Sequence, residues 1–156
     1  IEMKFLLKNN YSTINKIKSE GKKIVFTNGC FDILHVGHIK YLSQAKDQGD
    51  ILIIGLNSDK SVKKLKGNNR PINSFEDRAK LLAALKSVDL VIMFEEQTPE
   101  NLIKEIIPDI LVKGGDYNIE EIVGYQTVID NGGRVKTLSF YEGYSSTNYI
   151  DKINKR

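Results

Sequence analysis

Two kinds of apolar patterning alternate along the chain. The first is short and nearly continuous: KIVFTN at 23–28, ILIIGLN at 51–57, LVIMF at 90–94, ILVK at 110–113 and RVKTL at 134–138. Strands buried on both faces read this way, because neither side of the pleat meets water. In the second kind, apolar positions recur every three to four residues. It predicts helices over about 37–48, 75–86, 98–107 and 119–131, one more before the first strand, and a last one from about Ser146. Strand and helix in turn, with the strands apolar throughout, imply an α/β fold built on a parallel sheet.

Local signals sharpen several boundaries. TPENLIKEI places Thr98 as an N-cap, Pro99 at the first helical position and Glu100 in the first turn. NGG at 131–133 and QG at 48–49 are expected to end helices ahead of the fifth and second strands, glycine tolerating the left-handed conformation of a helix end. There is no repeat, low-complexity tract or linker. Residues 1–156 therefore read as one Rossmann-like domain, a doubly wound five-stranded parallel sheet with helices on both faces, with 1–21 as an N-terminal helical extension. In such folds ligands gather at the carboxyl ends of the strands where their order reverses. The loops that follow strands are where chemistry is expected.

Composition narrows the classes. A chain of 156 residues is long enough to bury roughly two thirds of its unfolded surface in a single core. Cys30 is the only cysteine, which excludes an intrachain disulfide and a thiolate-rich zinc site and points to a reducing, cytoplasmic setting. No apolar run approaches the ~18 residues of a membrane span, so no membrane partner is expected. Ile1 and Glu2 precede Met3 and are expected to be a remnant of expression cloning. With 23 basic against 20 acidic residues, the formal charge of +3 suits small phosphorylated ligands. The basic run from Ser58 to Arg70 contains no aromatic residue on which bases would stack, and no nucleic-acid partner is expected.

Both histidines of the chain lie in GCFDILHVGH, the loop after the first strand. The H-x-G-H step puts His35 in the loop and His38 in the first turn of the following helix. Gly37 removes side-chain bulk where phosphates would approach backbone N–H groups. Half of a metal site is the competing reading, but no cysteine or carboxylate cluster completes it and Asp32 alone is a weak third ligand. Incidental surface histidines are the third. Cys30, between Gly29 and Phe31, reads as a small buried side chain rather than a nucleophile.

Ser145, Ser146 and Thr147 offer hydroxyls and free N–H groups at the last helix start; taken alone, that is ordinary N-capping. In SDKSVKKLKGNNRP the lysines 60, 63 and 64 read as a solvated loop. Lys66 and Arg70, flanking GNN, are candidates for a mobile arm that closes over a triphosphate. KGGDY at 113–117 admits two readings, a simple turn or a segment whose glycines let the main chain reach a nucleobase while Asp116 faces hydroxyls. Arg78 reads as an ion-pairing helix residue at least as readily as a substrate contact. Neither G-x-x-x-x-G-K-[ST] nor G-x-G-x-x-G occurs.

NGCFDILHVGHIKYL together with GYSSTNYI resembles the paired signatures of the cytidylyltransferase-like nucleotidyltransferases, from about Lys22 to Ile150. Within them, KIVFTNGCFDILHVGHIKYLSQAK, GLNSDKSVKKLKGNNRPINSFEDRAKLLAALKSVD and PDILVKGGDY look most like the adenylyltransferase domain of the bifunctional heptose-phosphate kinase/adenylyltransferases. The resemblance implies transfer of AMP from ATP to D-glycero-β-D-manno-heptose 1-phosphate, with Mg²⁺, as a step towards lipopolysaccharide or another heptose-containing glycan. It also implies a homodimer. It assigns catalysis to His35, His38 and Lys66. Nucleotide contacts fall to Asn28, Gly29, Phe31, Gly37, Lys113, Gly114, Ser145, Ser146 and Thr147, and sugar-phosphate contacts to Asp32, Arg70 and Asp116.

Glycerol-3-phosphate cytidylyltransferases share the opening loop but typically carry G-D-D-W where this chain has Gly114-Gly115-Asp116-Tyr117, and R-T-x-G-[IV]-S-T-T where it has FYEGYSST. The absence of tryptophan favours the heptose reading. A nucleotide-sensing module on the same fold is the non-enzymatic alternative.

Overall fold

The computed structural model describes residues 5–6, 11–139 and 143–155. The expected remnant at 1–2 and residues 140–142 of FYEGYSST lie outside the described residues. The sheet consists of β1 (Phe5–Leu6), β2 (Ile24–Gly29), β3 (Ile51–Asn57), β4 (Leu90–Phe94), β5 (Ile110–Gly114) and β6 (Arg134–Leu138). All five expected strands form, and the two-residue β1 adds a sixth against β4. Every ladder is parallel, in the order β1-β4-β3-β2-β5-β6. The chain builds outward from β2 through β3 to β4, then returns to the other side of β2 for β5 and β6. Its switch point therefore lies at the carboxyl ends of β2 and β5.

Helices α1 (Ser12–Ser19), α2 (Val36–Lys46), α3 (Asp59–Lys66), α4 (Phe75–Ala83), α5 (Glu100–Ile106), α6 (Tyr125–Asp130) and α7 (Ser146–Asn154) connect and follow the strands. The period of two along the strands divides the core into two layers. Ile24, Phe26, Ile53 and Leu111 pack with Ile14 of α1, Leu102, Ile103 and Ile106 of α5 and Val128 of α6. Val25, Leu52, Ile54, Leu56 and Val112 face the other way, onto Tyr41, Leu42 and Ala45 of α2 and Ala79 and Leu82 of α4.

The amino ends of the strands are pinned by carboxylates. Asp50 Oδ2 accepts from Lys23 N–H at 2.7 Å, Asp89 Oδ2 from Leu52 N–H at 2.8 Å and Asp109 Oδ2 from Ile24 N–H at 2.8 Å. These bonds fix the register at the end of the sheet remote from the switch point.

Four expectations change. The basic stretch after β3 is a helix, α3, because Ser58 caps it, its hydroxyl accepting from Ser61 N–H at 3.1 Å. The helix expected over 119–131 is a 3-10 turn at Ile119–Glu121 followed by α6. Gly124 breaks it with φ +91°, where a Cβ would lie 2.6 Å from Ile103 Cδ1. Pro99, rather than Thr98, occupies the N-cap of α5, with no side-chain cap. Gly132 does take a left-handed φ of +78° after α6. Gly49 does not: it is small because a Cβ there would meet Val25 Cγ2 at 2.8 Å.

Candidate active site

A cavity of about 800 Å³ opens at the switch point, within the size range of small-molecule sites. Every site residue expected from the sequence lines it except Asp116. The chain turns at Gly115, φ +109°, and Asp116 lies exposed.

The loop leaving β2 carries the first half of the site. Phe31 has φ +45°, a left-handed conformation that costs a non-glycine residue about 1–2 kcal/mol. Its ring is buried, 5.1 Å from that of His38, and it folds back so far that a Cβ on Gly29 would meet it at 2.9 Å. His35 is the N-cap of α2 in extended conformation, and His38 follows in the first turn. Their imidazoles stack with centroids 3.7 Å apart and planes 22° from parallel. Gly37 serves this stack rather than open space for phosphate. A Cβ there would come within 2.9 Å of His35 Nδ1 and of Tyr144 Cβ.

Both ring nitrogens of His35 and Nδ1 of His38 are buried without a hydrogen-bond partner among the described residues. Such atoms are rare in native interiors, and a polar group entering the cavity would satisfy them. Burial pushes the pKa of His38 down to about 4, the neighbouring His35 adding to the effect, and burial lowers His35 as well. At neutral pH each imidazole is uncharged, with one N–H to give.

The second half comes from the C-terminal segment. Ser145 caps α7, its hydroxyl accepting from Asn148 N–H at 3.0 Å. Ser146 Oγ donates to Ile33 C=O at 2.7 Å and accepts from Ile33 N–H at 3.2 Å. Both serine hydroxyls expected to contact the nucleotide thus bond to the protein. Thr147 Oγ1 accepts from Arg70 Nη1 at 3.5 Å.

Asp32 is likewise committed. Its carboxylate accepts from Arg70 Nε at 2.7 Å and from the N–H groups of Ile72 and Asn73 at 2.9 Å, while Asn73 Nδ2 donates to its carbonyl at 2.7 Å. Burial alone would raise the Asp32 pKa; the two N–H groups and the guanidinium outweigh it and hold the carboxyl below its ordinary value. Its role in the geometry is to fix residues 70–73 and to aim Arg70 across the cavity towards Thr147. Lys66 lines the cavity from the end of α3 and Lys113 from β5, its ammonium 5.5 Å from the Tyr117 ring.

Arg78, which the sequence reading placed outside the site, braces it. It is fully buried, donating from Nε to Asn73 C=O at 3.0 Å, from Nη1 to the carbonyls of Cys30 and Asn57 at 2.8 and 2.9 Å, and from Nη2 to Asp59 Oδ1 at 2.7 Å. One guanidinium ties the loops after β2 and β3 to the segment preceding α4. A signal existed: with Phe75, Ala79 and Leu82 it occupies the apolar stripe of α4, where an arginine must find internal partners. Cys30 is half-buried at the cavity wall, its thiol raised in pKa by burial and donating to Asn57 Oδ1 at 3.7 Å.

The family model for cytidylyltransferase-like proteins matches residues 26–152, from β2 to α7. The chain belongs to the cytidylyltransferase-like family. The bifunctional protein HldE of Hydrogenovibrio crunogenus is 54% identical over 145 residues, 93% of this chain and 30% of that protein. That of Haemophilus ducreyi is 60% identical over 136 residues, 87% of this chain and 29% of that protein. The chain thus spans about 30% of the length of these curated relatives. Among solved structures, a lipopolysaccharide core biosynthesis protein from Thermoplasma volcanium superposes with a TM-score of 0.63 at 33% identity, covering 80% of this chain and all of that one. Pantoate-beta-alanine ligase from Francisella tularensis shares the fold, with a TM-score of 0.55 at 14% identity. A nucleoside triphosphate is the substrate class of such a nucleotidyltransferase site.

Proposed function

We propose that this domain transfers AMP from ATP to D-glycero-β-D-manno-heptose 1-phosphate, releasing pyrophosphate and ADP-heptose. The observation that carries the reading is the stacked histidine pair, with three buried, unpartnered nitrogens in a cavity that Lys66, Arg70 and Lys113 also line. The HldE relatives and the lipopolysaccharide core protein support the choice of a heptose substrate.

In the reaction an oxygen of the sugar phosphate bonds to the α-phosphorus, and the bond from that phosphorus to the oxygen bridging to the β-phosphate breaks. The protein supplies no covalent intermediate. It positions the two anions and stabilises the charge that builds on the transferring phosphoryl group and the leaving pyrophosphate. His35 and His38 each donate one N–H, His38 nearest the α-phosphate. Arg70 and Thr147, with the free N–H groups at the start of α7, face the β- and γ-phosphates, and Lys66 neutralises charge from the end of α3. Ser145, Ser146 and Asp32 act by holding these groups in place.

Among the described residues no group of three or more His, Cys, Asp or Glu is placed to hold a metal ion. Asp32 has both oxygens engaged. The described residues offer no cage for Mg²⁺, and the ion would be held mainly by the triphosphate and water. The described helices include none long and apolar enough to cross a membrane. A homodimer belongs to the same proposal.

A matrix of ATP, CTP and GTP against heptose 1-phosphate and glycerol 3-phosphate, read as pyrophosphate release, tests the reading. The expected outcome is turnover with ATP and the heptose phosphate. Rapid turnover of CTP with glycerol 3-phosphate would replace it, and release with no pair at all would make the domain a nucleotide sensor.

A further inference from the structure

Among the described residues nothing polar fixes the imidazole of His35. Both ring nitrogens lack a partner among the described residues, and as the N-cap of α2 its side chain makes no capping bond. Rings surround it instead. His38 stacks at 3.7 Å, Tyr149 lies 5.7 Å away at 26° and Tyr144 6.1 Å away at 24°. The tyrosines stand at separations where offset, near-parallel aromatic pairs attract one another.

Both tyrosines arrive from the C-terminal segment, and that segment is locked to the histidine loop. The two hydrogen bonds between Ser146 Oγ and the backbone of Ile33 join α7 to a residue two positions before His35, across 113 residues of sequence. The Ser145 cap fixes where α7 begins, and with it the rotational position of Tyr149 one turn later. On the other side, the missing Cβ of Gly37 lets the His35 ring lie flat against this arrangement.

We propose that Tyr149 is a positioning residue that sets the ring plane of His35, and hence the direction in which its N–H points at phosphate. Tyr149 does not line the cavity whereas His35 does, so it acts through His35 and not on substrate. The ring, not the hydroxyl, does this. The inference rests on the reading of the histidine pair as phosphate donors. Misplacing such a donor by 1 Å costs about 10²-fold in rate.

The chain has two histidines, so its imidazole NMR signals form two sets, assigned by comparison with His38→Gln. In Tyr149→Ala the His35 ring signals shift as the ring current is lost, and kcat with ATP and heptose 1-phosphate falls about 10²-fold while KM changes far less. In Tyr149→Phe the His35 signals and kcat stay as in the native chain. Unmoved His35 signals in Tyr149→Ala overturn the proposal, and so does a Phe variant disturbed as much as the Ala variant. Circular dichroism checks the fold; if Tyr149→Ala is unfolded, Tyr149→Leu is judged by the same criteria. If the native chain turns over no substrate pair, the substrate reading fails, and titration with inorganic triphosphate decides the positioning alone. Saturation then moves the His35 signals in the native and Phe forms, and the Ala form requires a higher concentration. Equal titrations in all three forms overturn it.

Discussion

Replacing Arg78 by methionine keeps the volume of a long side chain on the buried stripe of α4 and removes every donor. Four contacts go at once. Three of their acceptors, the carbonyls of Cys30, Asn57 and Asn73, sit just after β2, at the end of β3 and just before α4, and the fourth, Asp59, has a side chain 51% exposed. The exposed carboxylate returns to water at little cost, so the ion pair itself contributes no more than a surface pair would. Each stranded carbonyl costs about 1–3 kcal/mol, partly offset because a buried guanidinium no longer has to be desolvated. The sum is about 4 kcal/mol, against a total stability of about 5–15 kcal/mol for a domain. At roughly 2–4 °C per kcal/mol for a chain of this size, the midpoint falls by about 8–16 °C.

Urea denaturation and a thermal melt of Arg78→Met measure the loss. Arg78→Lys, which keeps the charge but not the fork, should fall between. An Asp59→Asn variant should lose less than about 1 kcal/mol, which separates the carbonyl contacts from the ion pair. A methionine variant within 1 kcal/mol of the native chain would refute the claim that this guanidinium ties the three segments together.

The depressed His38 pKa makes stability depend on pH. The unfolded chain takes up this proton near 6.5 and the folded chain near 4, so between those values the unfolded state holds more protons and acid destabilises. The contribution is complete above about pH 6.5, and roughly 3 kcal/mol is lost by pH 4; urea midpoints of the native chain and His38→Gln across this window should converge as the pH falls. Asp32→Asn leaves Arg70 without its counter-charge in a buried setting and should cost about 3–5 kcal/mol, with weaker triphosphate binding by calorimetry as Arg70 swings away. Because the Asp32 carboxyl is held below its ordinary pKa, its stabilisation is present above about pH 4 and declines as the pH falls through the folded value. Gly37→Ala forces a Cβ to within 2.9 Å of His35 Nδ1, and should lower kcat far more than it lowers the melting temperature; the reverse ranking would detach Gly37 from the histidine geometry.

How far the sequence reaches depends on the range of the interaction that decides each feature. The strands were legible because burial on both faces leaves a continuous apolar run, as in ILIIGLN. Helix α3 was not, because among DKSVKKLK only Ser61 and Val62 are buried and its start rests on a capping serine in a run of lysines. The break at Gly124 needs Ile103, a residue on another helix, to explain it.

The same division runs through the site. H-x-G-H is a local motif and its two rings do meet, yet the functions of the residues around it depend on partners that spacing does not reveal. Asp32, Ser145 and Ser146 have the chemistry of phosphate or sugar ligands, and each has its polar atoms engaged by the protein: Asp32 by residues 38 to 41 positions away, Ser146 by one 113 positions away. A hydroxyl or carboxylate serves equally well as a ligand or as a strut, and only the fold distinguishes them. Conversely Arg78, read as an ion-pairing helix residue at least as readily as a substrate contact, has no exposure at all. With these struts set aside, the charged and hydrogen-bonding side chains that line the cavity include His35, His38, Lys66, Arg70, Lys113 and Thr147. Three of these six, Lys66, Arg70 and Lys113, carry full positive charge beyond the neutral histidine pair, an arrangement that would suit a polyphosphate: cations along its charged oxygens and neutral N–H donors at the pair.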